Sequence, residues 1–179
     1  LSNVRDKGEF LPGTEPFAIF DKGGLRVGLV GLLTVTTPDI TDHSARALTF
    51  LDPVAALAFA RIPLQAEADW ILPLTHLGFD GDVRLARAVP DIDVLIGGHS
   101  HTYLKHGHYE GNVLIAQAGS KASSVGRIDL WFDRETNRIV DKRARVVDLY
   151  GEPEERWRNH ALEKACDELV ARSAERMKQ

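Results

Sequence analysis

Short apolar runs separated by turn signals open the chain. Residues 1–4, 16–20 and 25–34 each have the composition of a β-strand. The run Asp21-Lys22-Gly23-Gly24 separates the second from the third, and because glycine adopts positive φ at low cost, the pattern predicts a hairpin. Residues 27–33 are nearly all apolar, which is typical of a strand covered on both faces.

From residue 52 the pattern alternates between helical and strand periods. Asp52-Pro53 predicts a capped helix start, and Pro63 predicts a break or kink before residue 69. Apolar runs at 70–74 and 91–96 predict two buried strands, and Asp82 between them is the predicted cap of a second helix. This alternation indicates an α/β fold.

The last third of the chain changes to consecutive strands and then to a helical period. Residues 113–117, 126–133 and 139–149 read as strands with hairpin-like links. Residues 154–177 carry apolar side chains at helical spacing, which predicts a C-terminal amphipathic helix. We therefore expect a domain over 1–150 and a helix or linker over 151–179.

Composition and charge exclude several classes of protein. The 179 residues are 44% hydrophobic and 27% charged, with a net charge of −4, so we expect no attraction to nucleic acid or to an anionic membrane. The densest basic group, Lys142, Arg143 and Arg145, is expected on a strand that faces solvent. The longest apolar run is far below the ~18 residues of a membrane span. Cys166 is the only cysteine, so we predict no internal disulfide.

Histidines follow two of the predicted strands. His76 ends one of them, and His99 and His101 follow the other. Ligands collect at the carboxyl ends of strands in open α/β sheets, and residues two apart in an extended segment face the same way. Gly97 and Gly98 leave room for close backbone approach. The constellation predicts a metal site, because imidazole is a good ligand for zinc, manganese or iron.

Other patterns give weaker signals. The remaining histidines, taken singly, are expected to cap strands or make surface hydrogen bonds; they are His43, His106, His108 and His160. Gly28 and Gly31 do not complete a dinucleotide-binding fingerprint. The H-x-H motif also occurs in amidohydrolases, but there it belongs at the end of the first barrel strand, whereas here it lies past mid-chain.

Several stretches resemble the calcineurin-like metallophosphoesterases. They are Thr75-His76-Leu77-Gly78 with Asp82, Asp91 to Thr102 around Gly-Gly-His-Ser-His, Val27 to Leu32, Gln117-Ala118-Gly119 and Val125-Gly126-Arg127. Within that group the chain is most similar to the 5′-nucleotidase and 2′,3′-cyclic-nucleotide phosphodiesterase family. The resemblance implies the second half of a four-layer αββα sandwich with mixed sheets. It also implies hydrolysis of a phosphoester, with a nucleotide or cyclic nucleotide as the expected substrate.

The resemblance also implies a set of metal ligands. His76 and His99 match ligands of the second metal, and His101 matches the position that completes the shell of the first. The family holds two divalent ions (Zn, Mn or Fe), and its three upstream motifs, D-x-H, G-D and G-N-H-[ED], are not in this sequence. We therefore expect a partial site, no catalytic residue among those present, and an inactive isolated chain. The alternative is a non-catalytic metal-binding or assembly module.

Partners and compartment are expected from the same resemblance. Half of a two-sheet sandwich exposes strand edges and an apolar face, which favours a homo-oligomer or pairing with the missing N-terminal half. The family is periplasmic or secreted. The chain opens at Leu1 without a Met, so the natural N-terminus is expected to lie elsewhere.

Overall fold

A six-stranded sheet organises the chain, for which the computed structural model describes residues 1–136 and 138–149. Its strands are β3 (Ala18–Lys22), β4 (Leu25–Leu33), β6 (Trp70–His76), β7 (Val94–Ile96), β8 (His108–Glu110) and β9 (Val113–Ala116). In space the sheet has the order β3-β4-β6-β7-β9-β8, in which the four inner strands are parallel and the two outer ones antiparallel to their neighbours.

Two smaller sheets complete the strand inventory of the described residues. Their strands are β1 (Val4–Asp6), β2 (Glu9–Phe10), β5 (Leu48–Phe50), β10 (Ser124–Asp133) and β11 (Arg138–Asp148). One sheet has the order β2-β1-β5, and the other is the long antiparallel hairpin of β10 and β11. The predicted α/β class with mixed sheets is confirmed. The predicted boundary at residue 150 and the helix over 151–179 lie outside the described residues.

The first predicted hairpin is confirmed, but the burial of its second strand is not as predicted. Lys22 pairs with Leu25, and the two glycines between them have φ of 65° and 85°, as a tight hairpin turn requires. In β4 only the alternate positions Gly28, Val30 and Leu32 are buried. The other face of the strand is half-buried, so one face alone is fully covered.

Two helices cover one face of the large sheet. Helix α2 (Pro53–Glu67) begins as predicted, with the Asp52 carboxylate accepting the Ala55 N–H at 2.9 Å. Helix α3 (Phe79–Ala88) follows β6. A short helix α1 (Thr37–Ile40) and a 3-10 turn (His43–Ala47) occupy the loop after β4. The core between helices and sheet consists of Val30, Leu32, Ala56, Leu57, Ala60, Leu64, Leu85, Ala86, Val89, Ile92, Leu95, Val113 and Ile115.

The break predicted at Pro63 does not occur. Helix α2 continues through Pro63 to Glu67. Leu64, the next residue, is fully buried, and a Cβ placed on Gly28 would lie 2.7 Å from its Cδ2. Close packing of Leu64 on β4 therefore holds the last turn in place, although proline removes one helical hydrogen bond.

The β10–β11 hairpin contacts the large sheet near β9. Gly107 lies between the two, since a Cβ there would meet Leu114 at 2.6 Å and Ala144 at 3.1 Å. The prediction that Lys142 faces solvent is wrong. Only 7% of its surface is exposed, and its Nζ lies 2.9 Å from an Asp93 carboxylate oxygen. An ion pair of this kind offsets the cost of burying the ammonium group.

Candidate metal-binding site

Three parallel strands of the large sheet end side by side. Leu74 of β6 pairs with Ile96 of β7, and Ile96 pairs in turn with Ala116 of β9. The chain continues from these ends into Thr75-His76, into Gly97 to His101 and into Gln117. The topology therefore brings the predicted histidine segments to one edge of the sheet, where α/β folds place their ligands.

His76 and His99 contact each other at this edge. Their ring centroids lie 4.9 Å apart with an interplanar angle of 61°. Burial lowers the pKa of His76 from its usual 6.5, and the charges of His99 and His101 lower it further. A lowered pKa keeps the ring neutral near pH 7, which is the form that binds a metal. A Cβ on Gly98 would lie 3.4 Å from Nδ1 of His76, so the backbone of the second segment passes close to the ring.

The backbone of the second histidine segment is left-handed at both histidines. His99 has φ of 84° and His101 has φ of 56°. The expectation of an extended backbone in this segment is therefore wrong. Left-handed backbone is costly for a residue with a Cβ, and it persists where the surroundings enforce it.

The described residues bring together part of the predicted ligand set. Within residues 1–136 and 138–149, no group of three or more His, Cys, Asp or Glu side chains is arranged to hold a metal ion. His76 and His99 form a pair, and His101 is near enough for its charge to affect the pKa of His76. Two imidazoles can supply part of the coordination shell of zinc, manganese or iron, and a complete site needs more ligands. The assignment of all three histidines as ligands stays a prediction.

Asp82 is buried beside the histidine segments, and its predicted role as a helix cap is wrong. The cap position of α3 is Gly78, whereas Asp82 lies in the first turn with no exposed surface. Its carboxylate accepts hydrogen bonds from Thr75 Oγ1 and from Gln117 Nε2, both at 2.6 Å. Burial raises the pKa of Asp82 to about 6, while these two hydrogen bonds oppose the rise.

Asn3 is a second buried polar residue that the sequence pattern did not reveal. Its side-chain amide donates to Leu33 O at 2.7 Å and to Leu51 O at 3.1 Å, and its Oδ1 accepts from Leu33 N at 2.9 Å. These bonds join the end of β4 to the loop before α2. An Asn beside a short apolar run has no periodic signature, so only the three-dimensional contacts identify it.

The other features have structural explanations. His106 is exposed, and His108 lies in β8, where its ring meets Phe79 edge to face at 5.1 Å.

In the described part of the chain, the helices are all too short or too polar to cross a membrane.

Several known proteins are similar to this chain in sequence. No protein-family model matches the chain. The trifunctional nucleotide phosphoesterase YfkN of Bacillus subtilis is 31% identical over 135 residues, or 73% of the chain and 9% of the relative. YunD of the same organism, an uncharacterized metallophosphoesterase, is 30% identical over 151 residues, or 83% of the chain and 32% of the relative.

Solved structures share the fold. The 5′-nucleotidase precursor of Thermus thermophilus superposes with a TM-score of 0.71 at 28% identity, over 95% of the chain and 38% of that structure. The calcineurin-like phosphoesterase YfkN superposes with a TM-score of 0.74 at 18% identity, over 99% of the chain and 63% of that structure. The chain spans about a third or less of the length of the curated relatives named above. In sequence and in fold it is thus related to the 5′-nucleotidases and calcineurin-like metallophosphoesterases, consistent with the C-terminal half of such a domain.

Proposed function

We propose that this chain supplies part of a dinuclear metal site for phosphoester hydrolysis, with nucleotides or cyclic nucleotides as substrates. The observation that carries the proposal is the His76–His99 pair, formed at the carboxyl ends of two adjacent parallel strands. The relatives include proteins described as nucleotide phosphoesterases and 5′-nucleotidases, which supports the substrate class.

The residues at this edge fit a divalent cation in part. His76 and His99 would hold one ion, and His101 would contribute to a second, in line with the family resemblance. Divalent ions bound here would supply Lewis-acid stabilisation of the phosphoryl oxygens and a more acidic water as nucleophile. Neutral imidazoles provide no negative charge to offset two cations ~3.5–4 Å apart. Bridging and remaining ligands would therefore have to come from a segment with the three upstream motifs.

A two-arm activity assay tests the proposal. In the first arm the chain alone is assayed with an aryl phosphate and with nucleotides at saturating Mn²⁺, and we expect no turnover above background. In the second arm a segment bearing the upstream motifs is co-expressed, and we expect metal-dependent turnover. Loss of one charge-stabilising group in such sites costs ~10²–10³ in rate, so His76→Ala and His99→Ala should each reduce turnover at least that far. His106→Ala, an exposed histidine outside the pair, is the matched control.

The outcomes separate three cases. Turnover by the chain alone that His76→Ala abolishes would show that the site is complete without the upstream motifs and overturn the partial-site proposal. Turnover only with the added segment supports it. If neither arm shows turnover although the two pieces are shown to associate, the alternative of a non-catalytic metal-binding or assembly module is favoured. The absence of a three-ligand group among the described residues is the observation that favours this alternative.

We also propose that the protein acts in the periplasm or outside the cell. The support is the solved neighbour described as a 5′-nucleotidase precursor. Cell fractionation with an antibody against this chain tests the proposal, with a cytoplasmic enzyme as the marker for lysis. Recovery with the cytoplasmic marker would contradict it.

A further inference from the structure

A continuous series of hydrogen bonds joins the ends of β6, β7 and β9. We name it the Asp82 network; its members are Thr75, Asp82, Ser100, Thr102 and Gln117. Thr75 directly precedes His76, and Ser100 lies between His99 and His101. The carboxylate of Asp82 receives the Thr75 hydroxyl on one oxygen and the Gln117 amide on the other, each at 2.6 Å. One buried carboxylate therefore contacts Thr75 directly and is linked to Ser100 through Gln117.

The donors of the network all point toward the carboxylate. Because Gln117 donates through Nε2, its Oε1 is left to accept, and the Ser100 hydroxyl lies 3.2 Å from it. With its hydrogen donated to Gln117, Ser100 accepts from Phe79 N at 2.9 Å and from the Thr102 hydroxyl at 2.7 Å. When Asp82 is ionised its carboxylate can only accept, and the direction of every bond is then fixed.

The second histidine segment lies directly against this carboxylate. A Cβ on Gly97 would fall 1.8 Å from Oδ2 of Asp82 and 2.8 Å from Nε2 of Gln117. The amide of Gly78, at the start of α3, donates to Gly98 O at 3.0 Å. The two segments and the first turn of α3 therefore have little freedom to slide past one another.

We propose that Asp82 is a positioning residue that sets the distance and orientation between His76 and His99. It acts on His76 through Thr75 and on His99 through Gln117 and Ser100. The consequence for metal capture rests on the proposed function, whereas the effect on ring geometry does not. If Asp82 only stabilised the fold, its replacement would change the stability of the chain and leave the histidine pair unchanged.

Reversal of the network tests the proposal in the full metal-free chain. Asp82→Asn keeps the shape but brings an amide NH₂ against the Gln117 amide, so either two donors meet or the Gln117 amide turns over and reverses its bond to Ser100. Gln117→Glu instead brings two carboxylates together. The double variant Asp82→Asn/Gln117→Glu restores every bond, because the new amide donates to the new carboxylate, which still accepts from Ser100. Leu85→Ala, a fully buried change one turn further along α3, is the control for lost stability.

Two readouts are measured for each variant at pH 7.5. Imidazole ¹H–¹⁵N correlation spectra and the nuclear Overhauser effect between the rings report the geometry of the pair. Zn²⁺ titration reports the metal affinity of the chain. Loss of a group that orients ligands commonly costs 10–100-fold in metal affinity. We expect both single network variants to disturb both readouts, the double variant to recover both, and Leu85→Ala to change neither.

The outcomes distinguish this inference from the proposed function. Unchanged ring spectra in Asp82→Asn, or an equal disturbance in Leu85→Ala, would overturn the positioning role. A wild-type chain that binds no Zn²⁺ but whose rings respond to the network variants contradicts the proposed function and supports the positioning role. If Asp82→Asn does not fold, Ser100→Ala interrupts the network at its far end. It should then shift His99 more than His76, and equal or absent shifts would count against the proposal.

Discussion

The ring of His99 meets the ring of His76 edge to face, with 4.9 Å between centroids, although the two residues follow different strands. The contact is possible because β6 and β7 are parallel neighbours whose carboxyl ends coincide. Side chains from adjacent strand ends can then face a common ligand.

Metal binding should depend on both rings. We expect the purified chain to bind Zn²⁺ or Mn²⁺ weakly, with at most one ion at the histidine site. His76→Ala and His99→Ala should each abolish measurable binding. Affinity should fall below about pH 6, because a protonated imidazole has no lone pair for the metal. Isothermal titration calorimetry at pH 7.5 and pH 5.5 checks both statements. His106→Ala should behave as the wild type, and unchanged affinity in His99→Ala would remove this residue from the ligand set.

The contribution of Asp82 to the stability of the chain should decrease as pH rises from about 4 to about 6. Burial raises the pKa of Asp82 from 3.8 to about 6, so in this range the folded state binds more protons than the unfolded state. A shift of this size corresponds to about 3 kcal/mol at most, present at low pH and lost as the pH passes the folded pKa. Urea unfolding at several pH values measures the wild type against Asp82→Asn. The difference between their unfolding free energies should change with pH in this window, and parallel curves would contradict the prediction.

The left-handed backbone of His99 should respond to glycine. His99→Gly and His99→Ala both remove the imidazole, but only alanine retains a Cβ at φ of 84°. We expect the glycine variant to be more stable than the alanine variant by about 1 kcal/mol. Thermal unfolding of the two metal-free proteins measures the difference. Alanine equal to or more stable than glycine would show that the segment has another conformation in solution.

Asn3 and Ser2 form a matched pair of buried polar residues with different expected effects. Asn3→Ala leaves backbone groups of Leu33 and Leu51 without their partner, which should cost about 3 kcal/mol or more. Ser2→Ala removes only a 3.5 Å contact to Ala56 O and should cost less than about 1 kcal/mol. Urea unfolding distinguishes the two, and similar losses would contradict the role of Asn3 in joining β4 to the loop before α2.

Self-association should involve the open face of the large sheet. Leu74 is 45% exposed although it lies on an inner strand, between Gly31 and Ile96 of the neighbouring strands. We expect the chain to form a homo-oligomer, and Leu74→Lys should shift it toward the monomer. Light scattering at tens of micromolar measures the change. Phe59→Lys, on the exposed side of α2, is the comparison; if it disperses the oligomer instead, the helix face rather than the sheet is the contact.

Local sequence signals predicted the features that local chemistry determines. The glycine pair before β4 and the Asp52-Pro53 helix start are confirmed because turns and caps depend on adjacent residues. The order of strands and helices also placed His76 and His99 at one edge of the sheet. These predictions required only periodicity and a few residue types.

Predictions that depend on distant contacts were wrong or missing. Asp82 has the sequence context of a helix cap, but its partners Thr75 and Gln117 come from two different strand ends. Lys142 belongs to a basic stretch, yet its side chain is buried and forms an ion pair with Asp93. The left-handed φ of His99 and the close contact of Gly97 with Asp82 are likewise features that no neighbouring residue reveals.

The tight contact between Gly97 and Asp82 has a kinetic consequence. A segment that cannot slide over its support has already lost its conformational entropy when the chain folds. An arriving ion would then meet two nitrogen donors at a nearly fixed separation, and binding would require little further ordering of the backbone. Capture should therefore be fast, and differences in affinity among network variants should appear mainly as faster release of the ion.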